Sequence, residues 1–123
     1  MENIITELQQ LTPSIGAITV YEWQKNQILY QSPEWDISQD LGTILTAWTE
    51  TQPSILVQGI KYSTLQCTPE RLICQNLGGQ GAIVCANHEN RLIMVAWVSA
   101  DGAPGDAYRD LTKSLNKILQ AGH

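Results

Sequence analysis

Cys67, Cys74, Cys85 and His88 are the residues of this 123-residue chain whose types could do chemistry together. Cys85 and His88 stand in a Cys-x-x-His spacing, and zinc takes four thiolate or imidazole ligands in a tetrahedron. Structural zinc sites usually present their ligands as two tight pairs on turns. Here six residues separate Cys67 from Cys74, and both fall in predicted strands. The pattern fits three small buried thiols better than a metal centre. A Cys/His nucleophilic pair would need an electropositive setting to form its thiolate, and only Arg91 lies near His88 in the sequence. The other histidine is the C-terminal His123.

Two further groups resemble sites on inspection. Gly78-Gly79-Gln80-Gly81 has the glycine content of a phosphate loop. It lacks the Gly-Lys-Ser/Thr ending, and it leads into strand-like residues rather than a helix, so it reads as a loop or bulge between strands. Asp101, Asp106 and Asp110 cluster around the start of the last predicted helix. They could pair as acid and base or hold a metal, but a turn residue, a helix-start residue and a solvated face account for them. With no catalytic set, the chain is read as not an enzyme, with no metal and no cofactor. A Cys/His metal or thiol protein is kept as one alternative.

The elements that would carry any site follow from periodicity. Ile4, Ile5, Leu8 and Leu11 share one helical face, predicting a helix over 2–11 that Pro13 stops. Residues 15–23 and 28–30 alternate as two strands of a hairpin, with Tyr21 and Trp23 assigned to the face of Ile15, Ala17 and Thr19. Ile37, Leu41, Ile44, Leu45 and Trp48 form an amphipathic stripe, with Asp36 as N-cap and Gln39 completing a capping-box pattern. This predicts a second helix over 37–51, ended by Pro53. Gly42 inside it is unfavourable by about 1 kcal/mol relative to Ala and would permit close approach of another element. Residues 54–66 read as one long strand bent at Gly59, and 72–76 and 82–86 as one interrupted strand or two separate ones.

Residues 92–98 are seven apolar residues without alternation, the mark of a strand buried on both faces. Its two faces require helices on both sides, or one face hidden by a second subunit. A last helix follows over 104–120, with Lys113 and Lys117 toward its negative end. The fold class is α/β (α+β): an antiparallel five- or six-stranded sheet flanked by three helices, in the order α-β-β-α-β-β-β(-β)-α, as one domain over 1–123.

A net charge of −5 argues against binding nucleic acid or an anionic membrane surface. The N-terminus has no signal-peptide pattern, no segment is long enough for membrane insertion, and three cysteines make no disulfide framework. A cytoplasmic protein is expected. Only 15% of residues are charged, and there are four tryptophans and no phenylalanine. Trp97 reads as core, and Trp35 and Trp48 as interface or core.

The opening helix through Leu11, the strand Ser14–Val20, the helix Ile37–Thr51, the strand Leu92–Trp97 and the helix Asp106–Gln120 together resemble the roadblock/LC7 family, within a wider profilin- and longin-like group. If 72–76 and 82–86 are separate strands, the chain moves toward other profilin-like relatives. The resemblance implies a non-catalytic dimeric scaffold, a homodimer or heterodimer with a related subunit, that serves a small Ras-like GTPase or a multi-protein complex. Carried onto this chain, the dimer interface would comprise Gly42 and Trp48 on the middle helix and Ile55, Val57, Gly59 and Lys61 on the edge strand. Nothing charged precedes Lys61 in that strand to block pairing. The alternative is a PAS- or profilin-like module that binds a small ligand or a protein, with Tyr21, Trp23 and Tyr30 lining a pocket.

Overall fold

The computed structural model describes residues 1–122. The chain runs α1 (Glu2–Leu11), β1 (Ile15–Glu22), β2 (Gln27–Gln31), α2 (Leu41–Thr49), β3 (Ser54–Val57), β4 (Ile60–Thr68), β5 (Arg71–Gln75), β6 (Ala82–His88), β7 (Leu92–Val98) and α3 (Pro104–Gln120). The strands form one antiparallel sheet in the order β2-β1-β7-β6-β5-β4-β3.

The apolar run 92–98 is an interior strand between β1 and β6. Leu92, Met94, Ala96 and Val98 enter the core beneath α1 and α3, while Ile93 and Val95 enter the core beneath α2. Strand alternation sends successive side chains to opposite faces, and both faces are covered. The cover comes from this chain's own helices, so no second subunit is needed to explain the run.

The sheet has seven strands rather than five or six. The predicted long strand over 54–66 is a hairpin, because Gln58 and Gly59 both take positive φ (50° and 79°), the geometry of a tight two-residue turn. Segments 71–75 and 82–88 are two separate, paired strands. The middle helix starts at Leu41 rather than Ile37. Asp36 caps a local turn instead, its Oδ1 accepting the Ser38 N–H at 2.9 Å and hydroxyl at 2.6 Å. Ile37 is nonetheless fully buried under α2.

A bulge in β1 also changes the predicted faces. The register with β7 shifts between Ile15 and Ala17, which places Ile15 with Ile18 and Val20 under α1 and α3. Tyr21 lies on the α2 side and Tyr30 on the other, so these two cannot line one pocket.

Ser32 anchors the exit from β2. Its Oγ accepts the Ile18 N–H at 2.9 Å in the core. Ser32→Ala leaves that N–H unpaired, and a loss of about 1–3 kcal/mol is expected. Urea denaturation should show this as a lower midpoint with an unchanged slope.

Candidate protein-binding face

The helix layer on the α1/α3 face does not span the sheet. α1 packs on β1 and on α3, and α3 packs on β5, β6 and β7. The part of that face built from β3, β4 and the outer side of β5 has no helix above it.

Alternation decides what this open strip presents. Ile55 and Val57 turn toward α2 and are 2% exposed, so Leu56 between them faces the open side at 54%. Leu56 pairs with Lys61, and Lys61 precedes Tyr62, which is buried under α2. Leu65 is the extra residue of a bulge between Thr64 and Gln66 and is 55% exposed. Beyond the bulge, the Arg71 Nη1 donates to Gln66 Oε1 at 2.8 Å, and the guanidinium lies 4.1 Å from the centre of the Tyr108 ring on α3. Arg71 thus joins the strip to the flank of α3 through a cation–π contact. A hollow of about 480 Å³ lies there, walled by Arg71, Asp106, Tyr108, Arg109 and Lys113, with Arg109 ion-paired to Asp106.

The loop after β5 is pinned beside this strip. Asn76 Nδ2 donates to the Lys61 carbonyl at 2.9 Å, and its Oδ1 accepts the N–H groups of Gly78 and Gln80 at 2.8 and 3.1 Å. The loop that looked like a phosphate cradle is an asparagine-organised turn. It carries Leu77, 83% exposed. Among the described residues, four large hydrophobic side chains are exposed, and three of them (Leu56, Leu65 and Leu77) sit on or beside the open strip. Of the chain's seven Lys and Arg residues, Lys61, Arg71, Arg109 and Lys113 lie on it or border it. Scattered exposed leucines are ordinary, but leucines gathered with cations on an uncovered sheet face make this strip the candidate partner surface.

The residues named from sequence for an interface are placed differently from one another. Trp48, Ile55 and Val57 are buried inside the chain. The Trp48 indole N–H donates to the Thr68 carbonyl at 2.5 Å, tying α2 to β4. Gly42 is exposed on α2 with open space around it, Gly59 sits in the β3–β4 turn, and Lys61 is on the open strip. The structure does not bring these six onto one surface. Reading 54–66 as one strand hides the turn that sets the faces of Leu56 and Leu65, and the candidate strip is not visible without it. Gln58-Gly59 was the available signal for that turn.

Cys74 and Cys85 are fully buried under α2, and Cys67 is half-buried, its thiol donating to the Trp48 carbonyl at 3.3 Å. His88 ends β6, 3.9 Å from the Glu89 carboxylate. Among the described residues, no three His, Cys, Asp or Glu side chains converge as a metal site would need. Burial pushes the Cys74 thiol up to about 11 and holds the Cys85 thiol well above the ordinary value near 9. Both should resist iodoacetamide at pH 8 in the folded protein, leaving Cys67 as the labelled site. Mass spectrometry should find all three labelled after unfolding in denaturant.

A seven-stranded antiparallel sheet with the terminal helices on one face and a short helix on the other defines a class of binding domain. The chain belongs to the profilin family. It is 36% identical to Odin profilin of Odinarchaeota yellowstonii over 112 residues, covering 89% of this chain and 92% of that protein. It superposes on LokiProfilin2 in a complex with rabbit actin with a TM-score of 0.85 and 26% identity, covering 97% of this chain and 95% of that one. LokiProfilin1, also in a complex with rabbit actin, gives a TM-score of 0.86 at 25% identity, with 98% and 94% covered. No family model matches the chain.

These findings overturn the roadblock/LC7 assignment and, with it, the homodimer or heterodimer that would serve a small GTPase. The two families share an order of helices and strands, and that order carried the resemblance. The profilin-like alternative is the one supported. Profilins are non-enzymatic, in agreement with the reading of the chain as not an enzyme. No helix among the described residues is long and apolar enough to cross a membrane.

Proposed function

We propose that this protein is a cytoplasmic, single-domain binder of monomeric actin, and that the open strip of β3–β5 with the adjoining flank of α3 is the surface that meets it. One observation carries the proposal. Three of the four exposed leucines among the described residues lie on or beside the part of the sheet that no helix covers, and four of the seven Lys and Arg residues of an acidic chain lie on it or border it. That face is built on a fold closely similar to chains solved in complexes with rabbit actin. Such a face offers a small apolar centre at Leu56 and Leu65 with a basic rim, the anatomy of a heteromeric interface, and its charge would steer an acidic partner.

Sedimentation velocity with monomeric rabbit actin tests the reading. A 1:1 complex at micromolar actin is the expected result. Separate sedimentation of the two proteins at tens of micromolar would overturn it.

A further inference from the structure

On the α2 face, opposite the open strip, β1, the β3–β4 hairpin, β7 and the loop carrying Trp35 border a cavity of about 420 Å³ that is open to solvent on one side. Trp35, Tyr62 and Trp97 line it, together with Val57 and Ile60. Tyr62 is buried, and the two indoles are half-buried with their remaining surface turned toward solvent. The Trp97 N–H donates to the Gln80 carbonyl at 3.1 Å, which fixes one wall. Gly16 fits against that indole only because it has no Cβ, since a Cβ there would lie 2.7 Å from the ring.

The charge around this cavity is one-sided. No lining residue is charged. Glu34 and Asp36 flank the lining residue Trp35 in the sequence, and Lys61, between Ile60 and Tyr62, turns with Leu56 to the opposite face of the sheet. Asp40 reaches the wall directly, its Oδ2 accepting the Gln58 N–H at 3.1 Å, and the Gln58 side chain donates to the Asp36 carbonyl at 3.3 Å. The two hydrogen bonds from Ser38 hold the Asp36 carboxyl below its ordinary value, so it stays ionised. A cavity with three aromatic walls and an acidic rim disfavours anions. It also leaves a plain apolar ligand with no use for the rim.

We infer that the Trp35–Tyr62–Trp97 cavity binds a trimethylammonium group. Such a cation is weakly hydrated, has an apolar methyl surface for the walls, and is attracted by aromatic faces and by the nearby carboxylates. The group could arrive as a free solute or as a trimethylated lysine side chain. The inference is independent of the actin reading, because the cavity lies on the other face of the sheet.

The test is a titration of the ¹⁵N-labelled protein, following the four indole N–H signals, at constant ionic strength held with sodium chloride. The probes are choline, its neutral isostere 3,3-dimethylbutanol, and a short peptide carrying trimethyl-lysine. Choline or the peptide should shift the Trp35 and Trp97 signals saturably and leave those of Trp23 and Trp48 in place. Tighter binding of the peptide identifies a protein source, and tighter binding of choline a free one. The neutral isostere should bind about tenfold more weakly. Trp35→Ala should weaken binding by about the same factor, and Trp35→Leu, which keeps apolar bulk in the loop, should do so with the fold intact. No saturable shift with either cation, equal binding of the isostere, or unchanged affinity in Trp35→Leu would overturn the inference.

Discussion

Arg71→Glu is expected to weaken binding to monomeric actin by about 30-fold or more, with the fold retained. Arg71 is the residue through which the open strip and α3 act as one surface, hydrogen-bonded to Gln66 on β4 and stacked over Tyr108 on α3. Interface arginines in such settings commonly contribute 2 kcal/mol or more, about 30-fold in affinity. Reversal of its charge also places a carboxylate beside Arg109 and Lys113, where a complementary acidic partner would be repelled. The stability penalty should be small, because Arg71 is only partly buried and the lost stacking contact is weak. Leu11→Asp is the matched control. Leu11 is 74% exposed, but it lies beside the α1/α3 groove, away from the strip. Isothermal titration with monomeric actin should show the loss in Arg71→Glu and not in Leu11→Asp. Equal affinities would remove the strip from the interface, even if actin binds.

The largest loss of stability is expected from Gly81→Val, about 2–4 kcal/mol, which lowers Tm by roughly 10 °C. Two causes add. Gly81 has φ +94°, a conformation that costs side-chain-bearing residues about 1–2 kcal/mol. Its Cβ would also lie 2.8 Å from the Trp97 indole nitrogen and against the Val98 carbonyl, so β7 must shift to admit it. Gly79 separates the two effects. Its φ is +86°, but nothing lies within 4 Å of the Cβ position. Gly79→Ala should therefore show backbone strain alone, a loss of about 1 kcal/mol. Calorimetry on both variants checks the difference, and equal shifts would mean that the approach of Gly81 to β7 is not what holds this loop.

Chain order and periodicity carried much of the fold. The two terminal helices are read from their apolar stripes at the observed bounds, and the doubly buried strand 92–98 from its unbroken run of apolar residues. These features are local, or depend only on which side chains avoid water. The misread elements depend on single backbone angles. Positive φ at Gln58 and Gly59 turns one predicted strand into a hairpin. The bulge at Leu65 swaps the faces of the residues after it, turning Gln66 toward Arg71 and Cys67 toward α2. Asp36 looks like a helix cap and closes a turn one step earlier. The family was misjudged for a related reason: an order of helices and strands is shared by several sheet folds, and strand count is what separates them here.

The sequence by itself determined a non-catalytic α+β chain. Its hydrophobic pattern is periodic enough to specify three helices and an antiparallel sheet. Only the tertiary structure decided which part of the sheet is left uncovered. α3 crosses the sheet at β5–β7 and stops, and the strip left open beside it is formed by residues from 56 to 109, brought together by strand pairing. Residue type and spacing along a chain say what each side chain prefers. Which preferences are left unsatisfied at the surface depends on how far each helix reaches across the sheet, and that is settled by packing between elements distant in sequence.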